Sequence, residues 1–247
     1  MKCTGDFHTH SEYSHGKGKL RENIEVAISK GLKELAITDH GPQTWNFIRL
    51  GVKNAEELLK IAEKIKLLQL EYPEIKLYSG VEANIINRDG ELDVPGWVLE
   101  QLDITAVGYH LLIFPVNLHS AKEIIIDNRF TYKFFPGKRD EIRQHNTEAL
   151  IKTIQNYKID FITHPGYGVD IDTYELARVC AEENTYLEIN ARHGELTEGF
   201  VKAAAETDVK FIINSDAHSP EQVGEQEAGL KIVERLNLSK KRIINVE

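Results

Sequence analysis

Short apolar runs near positions 4, 35, 76, 104, 161, 186 and 211 alternate along this chain with longer stretches of helical spacing. Each run is strand-like in length and composition. Helical spacing predicts helices over 20–30, 55–71, 146–156, 174–184, 198–207 and 220–236, with a helical turn at 95–101 and a tight turn at 87–91. Segment 43–53, with Trp45, Phe47 and Arg49, reads as a loop above the strand ends. Strand–helix alternation implies parallel strands with right-handed crossovers. Only 111–139 breaks the rhythm. It carries Phe114, Phe130, Tyr132, Phe134 and Phe135 beside Arg129, Lys133, Lys138 and Arg139, and reads as an insertion over the site or an outer hairpin. Its aromatic residues are expected to pack it down, with base stacking the lesser alternative.

The polar residues that end the strand-like runs change the picture. Thr4 to His10 places His8 and His10 two apart, hence on one face of a strand. Later runs end in Thr38-Asp39-His40, Gly80-Val81-Glu82, Gly108-Tyr109-His110, Thr163-His164-Pro165 and Ser215-Asp216-Ala217-His218. Any one of these histidines can be a strand-end residue bonded to neighbouring backbone. Together they are an odd way to fill a core, because buried charge is costly unless paired or metal-bound. Convergence at one rim favours a closed or nearly closed barrel over an open sheet, since that end of a barrel carries the chemistry.

Imidazole with carboxylate suits zinc, manganese or iron, and the lack of site cysteines disfavours a closed structural zinc. The ligands outnumber the needs of one ion, and a carboxylate such as Glu82 can bridge two. His15 lies in the polar loop 11–18. Asp6 and Asp39 sit beside ligand histidines, where orienting a histidine and shaping a strand-end turn are equal readings. His119 and His145 are expected to be exposed. His193 and Arg192 follow a strand end, where reaching the pocket, with Arg192 meeting an anion, competes with a solvated-loop reading.

The 247 residues suit one barrel domain, 1–247, with the insertion near 111–139. A 41% hydrophobic and 28% charged composition is that of an ordinary globular chain. No apolar run is long enough for a membrane span, and Met1-Lys2-Cys3-Thr4 leads into a strand rather than a signal peptide, so the cytoplasm is the expected compartment. Cys3 and Cys180 read as small buried thiols. A net charge of −9 argues against a general nucleic-acid binder, although bound cations would make the pocket itself cationic.

Asp6-Phe7-His8-Thr9-His10, Ile37-Thr38-Asp39-His40, Gly80-Val81-Glu82, His110, His164-Pro165-Gly166 and Ser215-Asp216-Ala217-His218 resemble the successive motifs of the PHP (polymerase and histidinol phosphatase) family. Gly41-Pro42, Trp45, Val81 to Ile85 and Asp89-Gly90-Glu91 also resemble a small stand-alone bacterial branch of phosphatases within it. The resemblance implies an α/β fold, a distorted (β/α)7 barrel of TIM type, with a three-metal centre that is commonly zinc. It implies one ion held by His8, His10, Glu82 and Asp216. A second falls to Glu82, His110 and His164, and a third to His15, His40 and His218. Glu82, Asp216 and His218 are expected to carry the catalytic roles.

The function expected is hydrolysis of a small phosphomonoester, histidinol phosphate being one candidate, by a metal-activated hydroxide at a trinuclear site. A phosphodiesterase or exonuclease of PHP type is disfavoured by the acidic chain. An amidohydrolase or deaminase shares the first-strand His-x-His but has no need of His40 and His218, and no convincing metal-bridging lysine is present. A PHP domain kept as an interaction module is expected to lose ligands, whereas every motif here keeps its own.

Overall fold

The computed structural model describes residues 1–44 and 50–247. Trp45, Phe47 and Arg49, read as loop from the sequence, lie outside the described residues. Seven parallel strands form one sheet in sequence order: β1 (Gly5–Asp6), β2 (Glu34–Ile37), β3 (Lys76–Asn84), β4 (Ile104–Gly108), β5 (Phe161–Ile162), β6 (Tyr186–Asn190) and β7 (Phe211–Asn214). The sheet curls into a nearly closed barrel, with helices α1 (Leu20–Ser29), α2 (Ala55–Glu71), α3 (Gly96–Leu99), α4 (Leu118–Ala121), α5 (Tyr132–Phe134), α6 (Arg139–Asn156), α7 (Thr173–Glu182), α8 (Gly194–Ala204) and α9 (Glu227–Arg235).

Alternation along the strands sorts side chains into two cores. Leu35, Ile37, Val81, Ala83, Leu187, Ile189, Phe211 and Ile213 join the large core that includes the buried faces of the helices. Helix α2 contributes Leu58, Ile61 and Ile65 to it, and Asn54 caps that helix by accepting from the Glu57 amide at 3.0 Å. Phe7, Ala36, Ala106, Phe161 and Ile212 form a second cluster, with Tyr78, Ile104 and Tyr186 against it. This small apolar plug fills the barrel axis, and burying each large side chain stabilises the fold by roughly 1.5–3 kcal/mol.

The seam between β7 and β1 is closed by polar side chains and by the C-terminal segment. Thr9 pairs with Ala217, and the His10 amide donates to the Ala217 carbonyl at 2.8 Å. Gln226 and Asn245 each donate to the carbonyls of both Gly5 and Ile213, and the Ile244 amide donates to the Phe211 carbonyl.

Several expectations are corrected. The ladder of the first strand is confined to Gly5–Asp6, and Thr9 rejoins the sheet as an isolated bridge. The closing helix expected over 220–236 is broken into a 3-10 turn, Pro220–Gln222, and α9. The break falls at Gly224, whose φ of 75° is left-handed and whose amide donates to Asp6 Oδ2 at 2.9 Å. Segment 111–139 is helical, running through α4, a π-helix (Lys122–Thr131), α5 and a 3-10 turn (Pro136–Lys138), so the hairpin alternative is overturned. Its phenylalanines do not pack it down. Phe130, Phe134 and Phe135 are exposed, and Ile124 and Ser120 take the buried positions.

Candidate metal centre

Glu82 is the hub of the rim. On β3, Val81 and Ala83 face the outer core, which turns Glu82 and Asn84 into the barrel. Its Oε2 lies 2.9 Å from His40 Nδ1, 3.3 Å from His8 Nε2 and 3.6 Å from His10 Nε2. Its Oε1 lies 2.9 Å from His164 Nε2 and 3.3 Å from His110 Nε2, and accepts from Thr163 Oγ1 at 2.7 Å. Asp216 Oδ1 stands 3.4 Å from His10 Nε2, 3.7 Å from His8 Nε2 and 3.3 Å from His218 Nδ1. The His15 ring centroid is 4.9 Å from that of His40 and 4.1 Å from that of His218. All nine residues singled out from the sequence therefore meet at one rim. Six are buried, and His15, His110 and His218 are half-buried.

This arrangement fits divalent ions. Glu82 Oε2, His10 Nδ1 and His40 Nδ1 are buried without a hydrogen bond; Glu82 Oε2 and His40 Nδ1 are close but not in bonding geometry. Such orphaned polar atoms are costly unless something else engages them. His8 Nε2 and His10 Nε2 lie 3.1 Å apart, and those of His110 and His164 3.3 Å apart. Glu188 holds His8 Nδ1 and Asn84 Oδ1 holds His110 Nδ1, both at 2.7 Å, which leaves the Nε2 atom of each ring facing its neighbours. A cation placed among these nitrogens would be coordinated by them. Three sets of donors lie within 4.8 Å of one another: His8, His10 and Glu82; His40, Glu82 and His110; His10, His40 and His218.

Electrostatics divide the cluster. Burial raises the pKa of Glu82, but His40, His8 and His110 outweigh it and hold the carboxyl well below its usual range. Burial is likewise outweighed at Asp216, chiefly by His8 and His10. Burial also opposes charge on His8, yet Glu188, Glu82 and Asp216 hold its pKa well above the ordinary value. Burial wins at His40, down to about 4, and at His218, down to about 3; it also lowers His10. Mostly neutral imidazoles around ionised carboxylates are what metal coordination requires.

The supporting residues include some that sequence reasoning missed. Glu188 is fully buried; besides His8 it accepts from the His164 amide at 2.7 Å, Asn190 Nδ2 at 2.9 Å and Asn214 Nδ2 at 3.0 Å. The available signal was its place on a strand between the outward-facing Leu187 and Ile189. Asp6 and Asp39 shape turns. Asp6 accepts from the Ser215 amide and hydroxyl and the Gly224 amide, and Asp39 accepts from Ser11 and Ser14 in the loop that carries His15. His164 and Asp216 have φ of 25° and 54°, left-handed backbone that non-glycine residues adopt at a cost. Gly108 leaves room: a Cβ there would lie 2.3 Å from His110 Cε1 and 2.8 Å from Glu82 Oε1.

A cleft of about 240 Å³ opens over the cluster, its lining completed by Thr44, Leu50, Leu112, Tyr167, Arg192 and His193. Of the two readings for Arg192 and His193, the pocket reading holds. Arg192 Nη1 lies 3.7 Å from Asp216 Oδ1, and His193 Nε2 lies 3.4 Å from Asp216 Oδ2. His119 is exposed against Glu123 and His145 is half-buried on α6; neither lines the cleft.

The PHP domain model matches residues 6–192. The chain belongs to the PHP family. It is 31% identical to a protein of Shewanella sp. (strain MR-4) named a probable phosphatase, over 99% of this chain and 88% of that one. A second protein so named, from Thermoanaerobacter sp. (strain X514), is 30% identical over 100% and 92% of the two chains. The fold is similar to that of histidinol phosphate phosphatase from Lactococcus lactis subsp. lactis Il1403, crystallised with zinc, L-histidinol and phosphate. The TM-score is 0.65 at 18% identity, covering 97% of this chain and 95% of that one.

Proposed function

We propose that this PHP protein hydrolyses a small phosphomonoester at a centre of about three zinc ions, with Mn2+ or Fe2+ as alternatives, acting as one domain over 1–247. The observation that carries the proposal is the surplus of donors around Glu82, two carboxylates and seven imidazoles, more than one or two ions require. When bound, such ions polarise the phosphoryl oxygens and make water nucleophilic at neutral pH.

In this reading His8, His10, Glu82 and Asp216 hold one ion, Glu82, His110 and His164 a second, and His15, His40 and His218 a third. Glu188 and Asn84 fix which nitrogen of His8 and of His110 faces inward. The names of the relatives and the zinc and phosphate of the L. lactis enzyme support the reading. No lysine lines the described cleft, which speaks against an amidohydrolase. The partner in this reading is a small phosphorylated substrate; among the described residues no helix is long and apolar enough to cross a membrane. Turnover of phosphomonoesters, phosphodiesters and amides by metal-analysed protein tests it: monoesters should be hydrolysed fastest, and preference for an amide would overturn it.

A further inference from the structure

Asp93 is a buried carboxyl that belongs to none of the donor sets around Glu82. Its Oδ1 accepts from the Asn84 backbone amide at 2.8 Å, and its Oδ2 accepts from the Gln43 amide at 3.0 Å and from Asn84 Nδ2 at 2.6 Å. Three donors on two oxygens suit an ionised, acceptor-only carboxylate. Burial pushes its pKa up to about 6, which still leaves it charged at neutral pH. The approach is close. A Cβ on Gly41 would lie 2.3 Å from either Asp93 oxygen, so the turn after His40 reaches the carboxylate because residue 41 has no side chain.

The orientation of Asn84 follows from these acceptors. Its side chain is wholly buried, and its nitrogen faces both Asp93 and Thr44 Oγ1, the latter at 3.1 Å. The Thr44 proton is already spent on the Gly41 carbonyl at 2.9 Å, so that hydroxyl accepts from Asn84. The amide oxygen is therefore the atom left facing His110 Nδ1, at 2.7 Å. An oxygen accepts, hence Nδ1 carries the imidazole proton and Nε2, 3.3 Å from Glu82 Oε1, keeps its lone pair. Resting on the proposed metal centre, we infer that Asp93 is a positioning residue for it: by fixing the Asn84 amide it makes His110 Nε2 the donor to a cation, and by holding the Gln43 amide it ties the turn behind His40 to the same point. The charge matters, because hydrogen bonds to an ionised acceptor are roughly twice as strong as neutral ones.

Nitrogen–proton correlation spectra of the chelated, full-length protein at about pH 8 read the proton directly, with the His110 signals assigned by their loss in His110→Gln. The unmodified protein should show His110 protonated at Nδ1 alone. Asp93→Asn, nearly isosteric, should give a mixture of the two tautomers and weaken zinc binding about tenfold in competition with a chromogenic chelator; Asp93→Ala should weaken it about a hundredfold. Combining Asn84→Asp with Asp93→Asn moves the charge next to His110. That exchange should restore the Nδ1 proton and bring zinc affinity within about threefold of the unmodified protein. A role confined to stability would lower the melting temperature of Asp93→Asn and leave the proton and the zinc affinity as they were, and that result would overturn the inference. So would a proton on Nε2 in the unmodified protein, or a paired exchange that restores neither reading. Turnover of a phosphomonoester by the same preparations separates the inference from the function it rests on. An Nδ1 proton and Asp93-dependent zinc affinity without turnover remove the phosphatase and leave Asp93 its role; turnover with zinc affinity indifferent to Asp93 does the reverse.

Discussion

His8 Nδ1 lies 2.7 Å from Glu188 Oε1, with both side chains wholly buried. The pair fixes the face that His8 turns toward Glu82 and Asp216, and the carboxylate makes the imidazole a stronger donor to a cation. Glu188→Gln keeps an acceptor and loses the charge, so it should weaken zinc binding about tenfold. Glu188→Ala should weaken it about a hundredfold. Competition with a chromogenic chelator reads both, and unchanged affinity would reduce Glu188 to packing in the barrel.

Glu82 should be far less replaceable. Glu82→Gln removes the charge that both proposed neighbouring ions share, and should lower turnover by about a hundredfold or more while leaving the circular dichroism spectrum intact. His119→Ala and His145→Ala, whose side chains do not line the cleft, should stay within about twofold of the unmodified protein. Equal losses in all three variants would mean that the centre lies elsewhere.

These roles differ in how legible they were. Histidine at strand ends is conspicuous because it makes a poor core residue, so the rim could be read from residue types and the period of a strand. Glu188 was hidden, because Tyr-Leu-Glu-Ile-Asn is equally the pattern of a strand with one solvated face. Only closure of the barrel turns that face inward. The broken helix at Gly224 depends on a hydrogen bond to Asp6, more than two hundred residues away, which no local pattern carries. The exposed phenylalanines of 111–139 misled for a related reason: composition says that a segment is apolar and aromatic, but not which of its faces finds a partner.

Metal content gives a direct count. Protein saturated with zinc should hold two or three ions by elemental analysis and anomalous scattering, and one ion at saturation would contradict the donor sets. Removing the ions with a chelator should lower the melting temperature by about 5–10 °C for each ion lost. A ligand at a hundred times its dissociation constant contributes about 2.7 kcal/mol, and in a chain of this size each kcal/mol moves the midpoint by about 2–4 °C.

The metal-free protein should lose stability on mild acidification. Burial lowers the pKa of His40 to about 4 and of His218 to about 3, and it also lowers His10 and His15. In the unfolded chain these imidazoles titrate near 6.5, so between pH 7 and 5 unfolding takes up protons and is favoured. His8 and His164, raised by neighbouring carboxylates despite burial, act in the opposite sense, as do the buried carboxyls of Asp6, Asp39 and Asp93, the last pushed up by burial to about 6. If the lowered imidazoles carry the larger share, the melting temperature of chelated protein falls from pH 7 to pH 5; a rise would show that the raised groups dominate.

The last prediction concerns why phosphorus rather than a carbonyl carbon is the target. A phosphoryl group offers several anionic oxygens at once, whereas a planar amide offers one, so a third cation adds little to the transition state of amide hydrolysis. His15, His40 and His218 are the residues that this distinction rests on. Their rings stand 4.9 Å and 4.1 Å apart, taking His15 with His40 and with His218, on the cleft side of the cluster. Inorganic phosphate should therefore compete with substrate and be found against the metals in crystals of the loaded protein. His218→Ala should remove most phosphatase activity, about a hundredfold, while at least one ion stays near His8 and His10. Zinc content and inhibition by phosphate, measured on the same preparation, separate the possibilities. Loss of every ion would make His218 structural to the whole centre. Full activity with one ion fewer would show that two cations suffice, and with that the case for a phosphoryl target over a carbonyl one would fall.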